Sequence, residues 1–148
     1  MDNGKNKITI PNAIMLAEVD FLLKEGHPVV IMTKGSSMLP FIRGDRDSVQ
    51  MKRQEQYRPG QAVLAQIAPG HYVLHRIVDI SGDDVTLQGD GNLKGQEHCK
   101  LCDICGAVVQ ILRPSGKIVG PMDEQAARWR TWPYIVRRIC LAIKRRII

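Results

Sequence analysis

Apolar and polar positions alternate with a strand period through the middle of this chain and recur with a helix period at both ends. Residues 11–25 read as a helix. Pro11 suits a first-turn position, Ile14, Ala17, Phe21 and Leu22 fall near one face, and Gly26 can close the end. Residues 27–33 hold a β-branched run, Val29-Val30-Ile31-Met32-Thr33, that reads as a strand, and 47–51 and 61–67 predict two more. Residues 71–80 carry the clearest alternation. It puts Val73, His75, Ile77 and Asp79 on one face and Tyr72, Leu74, Arg76, Val78 and Ile80 on the other. Ser81-Gly82-Asp83-Asp84 joins this strand to residues 85–88 as a hairpin, and Gly89-Asp90-Gly91-Asn92 ends the second strand in a loop. Residues 104–112 and 117–119 flank Pro114-Ser115-Gly116, a further hairpin signal. Beyond them Trp132, Ile135, Val136, Ile139, Ile143 and Ile147 return at helical spacing. The pattern predicts a mainly β, antiparallel domain with a helix at each end.

Composition narrows this picture. At 148 residues the chain suits one core, and 44% hydrophobic with 24% charged residues is the balance of a soluble globular domain. No apolar run approaches the roughly 18 residues of a membrane span, and residues 1–10 are polar and lysine-bearing, unlike a cleavable leader. The expected location is cytoplasmic.

Charge is unevenly placed. Residues 128–148 contain seven Lys or Arg and no acid, so the rest of the chain is near neutral despite a net charge of +6. A nucleic-acid-binding domain carries its basic face on the fold itself, and nucleic acid is therefore not expected as a partner. The organisation predicted is a body over 1–127 and a basic amphipathic helix over 128–148. Trp129, Trp132 and Tyr134 cluster at the start of that helix. Such a helix suits peripheral contact with an anionic membrane surface, or equally a docked helix whose arginines are simply solvated.

Between the first two strands lies Gly35-Ser36-Ser37-Met38-Leu39-Pro40-Phe41-Ile42-Arg43-Gly44-Asp45. Gly35 permits a sharp turn, and Pro40 keeps the chain from re-entering a helix or a central strand. Two hydroxyls are thus held on a short, stiff turn, the setting a nucleophilic serine needs. Ser37-Met38-Leu39-Pro40 with Arg43-Gly44-Asp45 resembles the nucleophile box of the signal peptidase I and SOS-repressor peptidase superfamily, in which the serine before Met attacks a peptide bond. Leu74-His75-Arg76-Ile77-Val78 resembles the general-base box of the Ser-His signal peptidases, and Gly89-Asp90-Gly91-Asn92 falls where that family carries a Gly-Asp-Asn-Asn-like box.

The resemblance implies a coiled antiparallel sheet and a serine endopeptidase that cuts an extended leader or signal-like segment of a peptide or protein. Ser37 is the implied nucleophile, His75 the base and Asp90 the residue completing the site. Chemistry asks for the same parts. A serine hydroxyl needs a base within reach, and an imidazole needs a partner on its other nitrogen. Asp79 lies roughly 13 Å along the same strand, too far to serve, and Asp83 and Asp84 are farther. Asp90, in the returning loop, is the expected partner. The oxyanion hole is expected from the Ser37 N–H with help from Ser36, and Met38, Pro40 and Phe41 are expected to shape the groove.

Gly91 replaces the first Asn of the third box, and Gly35 stands where many signal peptidases place a hydroxyl. These departures keep open a non-catalytic module that captures an extended peptide as an added strand, or a membrane-surface adaptor acting through its tail. His98, Cys99, Cys102 and Cys105 have zinc-like spacing, but no second Cys pair completes a ribbon. Reduced cysteines, no metal and no cofactor are expected.

Overall fold

A computed structural model describes residues 12–147, so the Pro11 start predicted for the first helix lies outside the described residues. Helix α1 (Asn12–Lys24) precedes strands β1 (Val29–Met32), β2 (Ser48–Lys52), β3 (Ala62–Ala68), β4 (His71–Ser81), β5 (Asp84–Gln88) and β6 (Glu97–Lys100). A 3-10 turn (Leu101–Asp103) leads into β7 (Ile104–Leu112), then β8 (Ile118–Val119), α2 (Asp123–Arg130) and α3 (Tyr134–Ile147). The fold is mainly β, with eight strands in one antiparallel sheet and three α-helices among the described residues.

The sheet runs β1-β2-β7-β3-β4-β5-β6, with β8 paired to the end of β7. The serine turn follows the edge strand β1, whereas His75 sits four places along on β4. Helix α1, which touches both β1 and β4, bridges these two regions.

Each face of the sheet has its own core. One joins Leu16, Val19 and Leu23 of α1 to Met38, Val49, Met51 and Leu64, and the other gathers Val63, Ile77, Val85 and Leu87. The buried side of α1 is not the one its spacing suggests, because Ile14 and Phe21 are exposed. Helix α1 is apolar on two sides, and Gly106 leaves room for the side that is buried. A side chain there would meet Leu23 at 3.1 Å, so its absence lets α1 settle with Leu23 against β7. Burying one such leucine contributes about 2–3 kcal/mol.

Strand β4 departs from simple alternation in one place. Its register against β5 shifts between Ile77 and Asp79, a bulge that moves Ile80 to the side of Val73 and Ile77. The basic segment predicted as one helix is divided as well. Residues 128–130 end α2, Thr131 and Trp132 form a break, and α3 begins just after Pro133, which suits a helix start.

Candidate active site

A cavity of about 210 Å³ opens between α1, the end of β1, the serine turn and the first half of β4, and both Ser37 and His75 line it. The turn is stiff for reasons visible in its bonds. Met38 O accepts the N–H groups of Phe41 (3.1 Å) and Ile42 (3.0 Å), giving one helical turn, and the Leu39–Pro40 peptide is cis. Gly35 has φ 74°, and its backbone packs so closely on Gly44 that no side chain fits at position 44.

A fully buried carboxylate closes the loop behind this turn. Asp47 accepts from the Arg43 N–H (2.8 Å), Arg43 Nη2 (3.0 Å) and Arg113 Nη1 (2.6 Å), and Arg113 Nη1 also donates to Phe41 O (2.8 Å). Burial opposes the charge of Asp47, but the Arg43 side chain and N–H, with Arg113, outweigh it and hold the carboxyl below its usual range.

His75 is buried, and its Nδ1 lies 2.6 Å from Glu97 Oε1. With Glu97 ionised, Nδ1–H donates to it and Nε2 is left as the acceptor. Among the described residues no hydrogen bond joins the Ser37 hydroxyl to His75, though both border the same space. The Ser37 N–H likewise has no acceptor among the described residues, so a donor is free beside the hydroxyl.

Asp90 does not reach His75 Nδ1. It receives Arg76 Nη2 at 2.8 Å and Arg76 Nε at 3.2 Å, and Arg76 Nη1 goes on to Gly60 O, Pro121 O and Asp123 Oδ1. Arg76 is 1% exposed. Burial pushes the Asp90 carboxyl above its usual range, against the pull of Arg76, Arg130 and His75. The loop that carries Asp90 is pressed onto the serine turn. Gly91 N–H donates to Ser37 O (2.8 Å), and a side chain on Gly89 would collide with Ser37 O and come within 3.1 Å of His75 Cδ2. Glycine is required at both positions by this close approach.

The remaining expected site residues divide. Met38 lines the cavity. Ser36 is exposed and lies outside the lining, with its carbonyl turned inward to accept Leu39 N–H. Pro40 and Phe41 face the other way, into a cleft under α2 and α3, where Phe41 meets Trp129 edge-on at 6.2 Å. The helical turn closed by Met38 O rotates them off the cavity side.

Two strand edges border the cavity. Among the described residues, strand β1 pairs only with β2, and residues 71–75 of β4 pair only with β3, since β5 joins at Arg76. Lys34, Ile31 and Met32 flank one edge and Tyr72, Val73 and Leu74 the other.

Glu97, Arg76 and Asp47 are site residues that the sequence pattern does not flag. Glu97 sits in a polar stretch without an apolar run, and its one signal is that a strand pairing back on β5 would cross near His75. The cysteines are spread over β6, the 3-10 turn and β7. Burial pushes the Cys99 thiol up to about 11 and raises Cys105 as well. Among the described residues no three His, Cys, Asp or Glu side chains are grouped as metal ligands. No family model, curated protein or solved structure matches the chain.

Proposed function

We propose that this chain is a serine endopeptidase of the signal peptidase and repressor peptidase type, with Ser37 as nucleophile, His75 as general base and Glu97 as the residue that orients His75. The observation that carries the reading is the shared cavity: Ser37 and His75 line it together, while Glu97 occupies the far nitrogen of the imidazole.

In this reading an extended peptide lies between the open edges of β1 and β4 and hydrogen-bonds to one or both as an added strand. Ser37 Oγ adds to the scissile carbonyl as His75 Nε2 takes its proton. The Ser37 N–H faces the oxyanion. The C–N bond then breaks as His75 returns the proton to the leaving amine, and water hydrolyses the ester by the same route. Asp90 serves this site by position alone, holding Gly91 against Ser37 O.

A fluorophosphonate probe should label the wild type at Ser37, with labelling absent in Ser37→Ala. Glu97→Gln should slow labelling about 10²–10⁴-fold, because the neutral amide no longer stabilises the imidazolium or sets its tautomer. Asp90→Asn should slow it far less once the protein is folded. Folded wild type that stays unlabelled would sink the enzyme reading. The peptide-capturing module would take its place, a reading favoured by the missing Ser37–His75 hydrogen bond.

A further inference from the structure

Helix α3 meets the body on one side only. Leu141 is buried with Leu39 and Trp129, whereas Ile135, Ile139 and Ile143 are 57%, 54% and 55% exposed. These three isoleucines are spaced i, i+4, i+8 and form one stripe, and Leu141, two residues from both Ile139 and Ile143, points to the opposite side. A helix that used its apolar period to pack on its own domain would bury this stripe. Trp132 is exposed beside it, and Tyr134 opens the helix. Below the stripe an apolar cleft of about 490 Å³, with Phe41, Trp129 and Cys140 in its walls, opens between α2 and α3, and Arg128 and Lys144 stand at its border.

We propose that the outer face of α3 and this cleft seat on an anionic lipid surface. Three features select that occupant. Residues 128–148 carry seven cations and no acid, and although Arg130 and Arg145 donate to Gln88 and Gly91 O of the body, the other five match a negatively charged leaflet. The exposed stripe is aliphatic, with indole and phenol groups at one end of the helix, the arrangement of a helix lying at a bilayer interface. A second copy of this chain is a poor occupant, because pairing two such faces would bring cations against cations with no acid between them. No helix among the described residues is long and apolar enough to cross a membrane, so the contact is interfacial. The proposal does not depend on the peptidase reading.

Deletion of residues 128–148 is an unsuitable test, since it removes Trp129 and Leu141 from over Leu39. The full chain should instead be floated with vesicles of phosphatidylcholine alone and of phosphatidylcholine with 30% phosphatidylglycerol. Binding to the anionic vesicles should be at least about tenfold tighter, fall with added salt, and shift Trp132 fluorescence to the blue. Ile139→Glu with Ile143→Glu should cut it about tenfold or more with an unchanged melting curve, as both side chains are already in solvent. Arg137→Gln with Arg138→Gln gives an independent variant that should weaken binding while keeping the stripe. Equal binding to both vesicles, or none, would overturn the proposal. So would a concentration-dependent dimer in sedimentation velocity that the Ile139→Glu, Ile143→Glu variant abolishes.

Discussion

Two buried carboxylates hold the serine turn, one from each side, and they behave in opposite ways. Asp47 closes the loop from β1 to β2 and accepts from two guanidinium groups and a backbone N–H, with Arg113 also donating to Phe41 O. Asp90 closes the loop after β5 and has Arg76, which is shared among four partners. Both are nearly inaccessible to water, yet the first carboxyl is shifted down and the second up. The difference has two sources: Asp90 lies deeper in the protein, and its guanidinium is divided among more partners, so lost hydration is replaced less fully there than at Asp47.

The largest test of this contrast is Arg76→Ala. It leaves Asp90 without its guanidinium and unties Gly60, Pro121 and Asp123, so unfolding in urea should show a loss of about 3–5 kcal/mol. Asp47→Asn keeps the shape but removes the charge between Arg43 and Arg113, and should cost about 2–3 kcal/mol in the same measurement. Gly91→Ala places a methyl 2.8 Å from Ser36 O and should cost about 1–2 kcal/mol by pushing the two loops apart. It should also reduce labelling of Ser37.

The subtlest test is pH. A carboxyl held below its unfolded value contributes stability that is present above the ordinary carboxylate range and lost as pH falls through the depressed value. A carboxyl held above it contributes stability that is greatest in acid and lost as pH rises through the raised value. The stability gap between wild type and Asp47→Asn should therefore narrow on acidification. The gap between wild type and Asp90→Asn should widen. Urea midpoints followed from neutral to acid pH check both slopes, and slopes of the same sign would remove the distinction.

Much of this arrangement is legible in the sequence. The β4–β5 and β7–β8 hairpins follow from Gly82 and from Pro114-Ser115-Gly116, and alternation along β4 correctly separates Leu74 from Ile77. Strand β6 was not legible, because Glu97-His98-Cys99-Lys100 is a short edge strand whose pairing comes from β5 rather than from its own apolar content. Without a pattern for β6, Glu97 carries no signal, and Asp90 is the acid that chain direction returns toward His75. The bulge at Val78 and the choice of face on α1 depend on tertiary fit, through β5 and Gly106, and local period carries neither. Pro133 is different: it marks the break before α3 openly, and only the continuous apolar period across it hides the signal.

The indole of Trp129 donates to the main-chain oxygen of Asp90 at 2.8 Å while its ring covers Leu39, two residues past the proposed nucleophile. The C-terminal helices are thus a wall behind the two loops, off the cavity that Ser37 and His75 line. Whatever presses on α3 is one side chain away from both loops that frame Ser37. A version of this protein freed from its greasy exterior has to be made by changing the outward isoleucines and leaving the backbone of that wall in place.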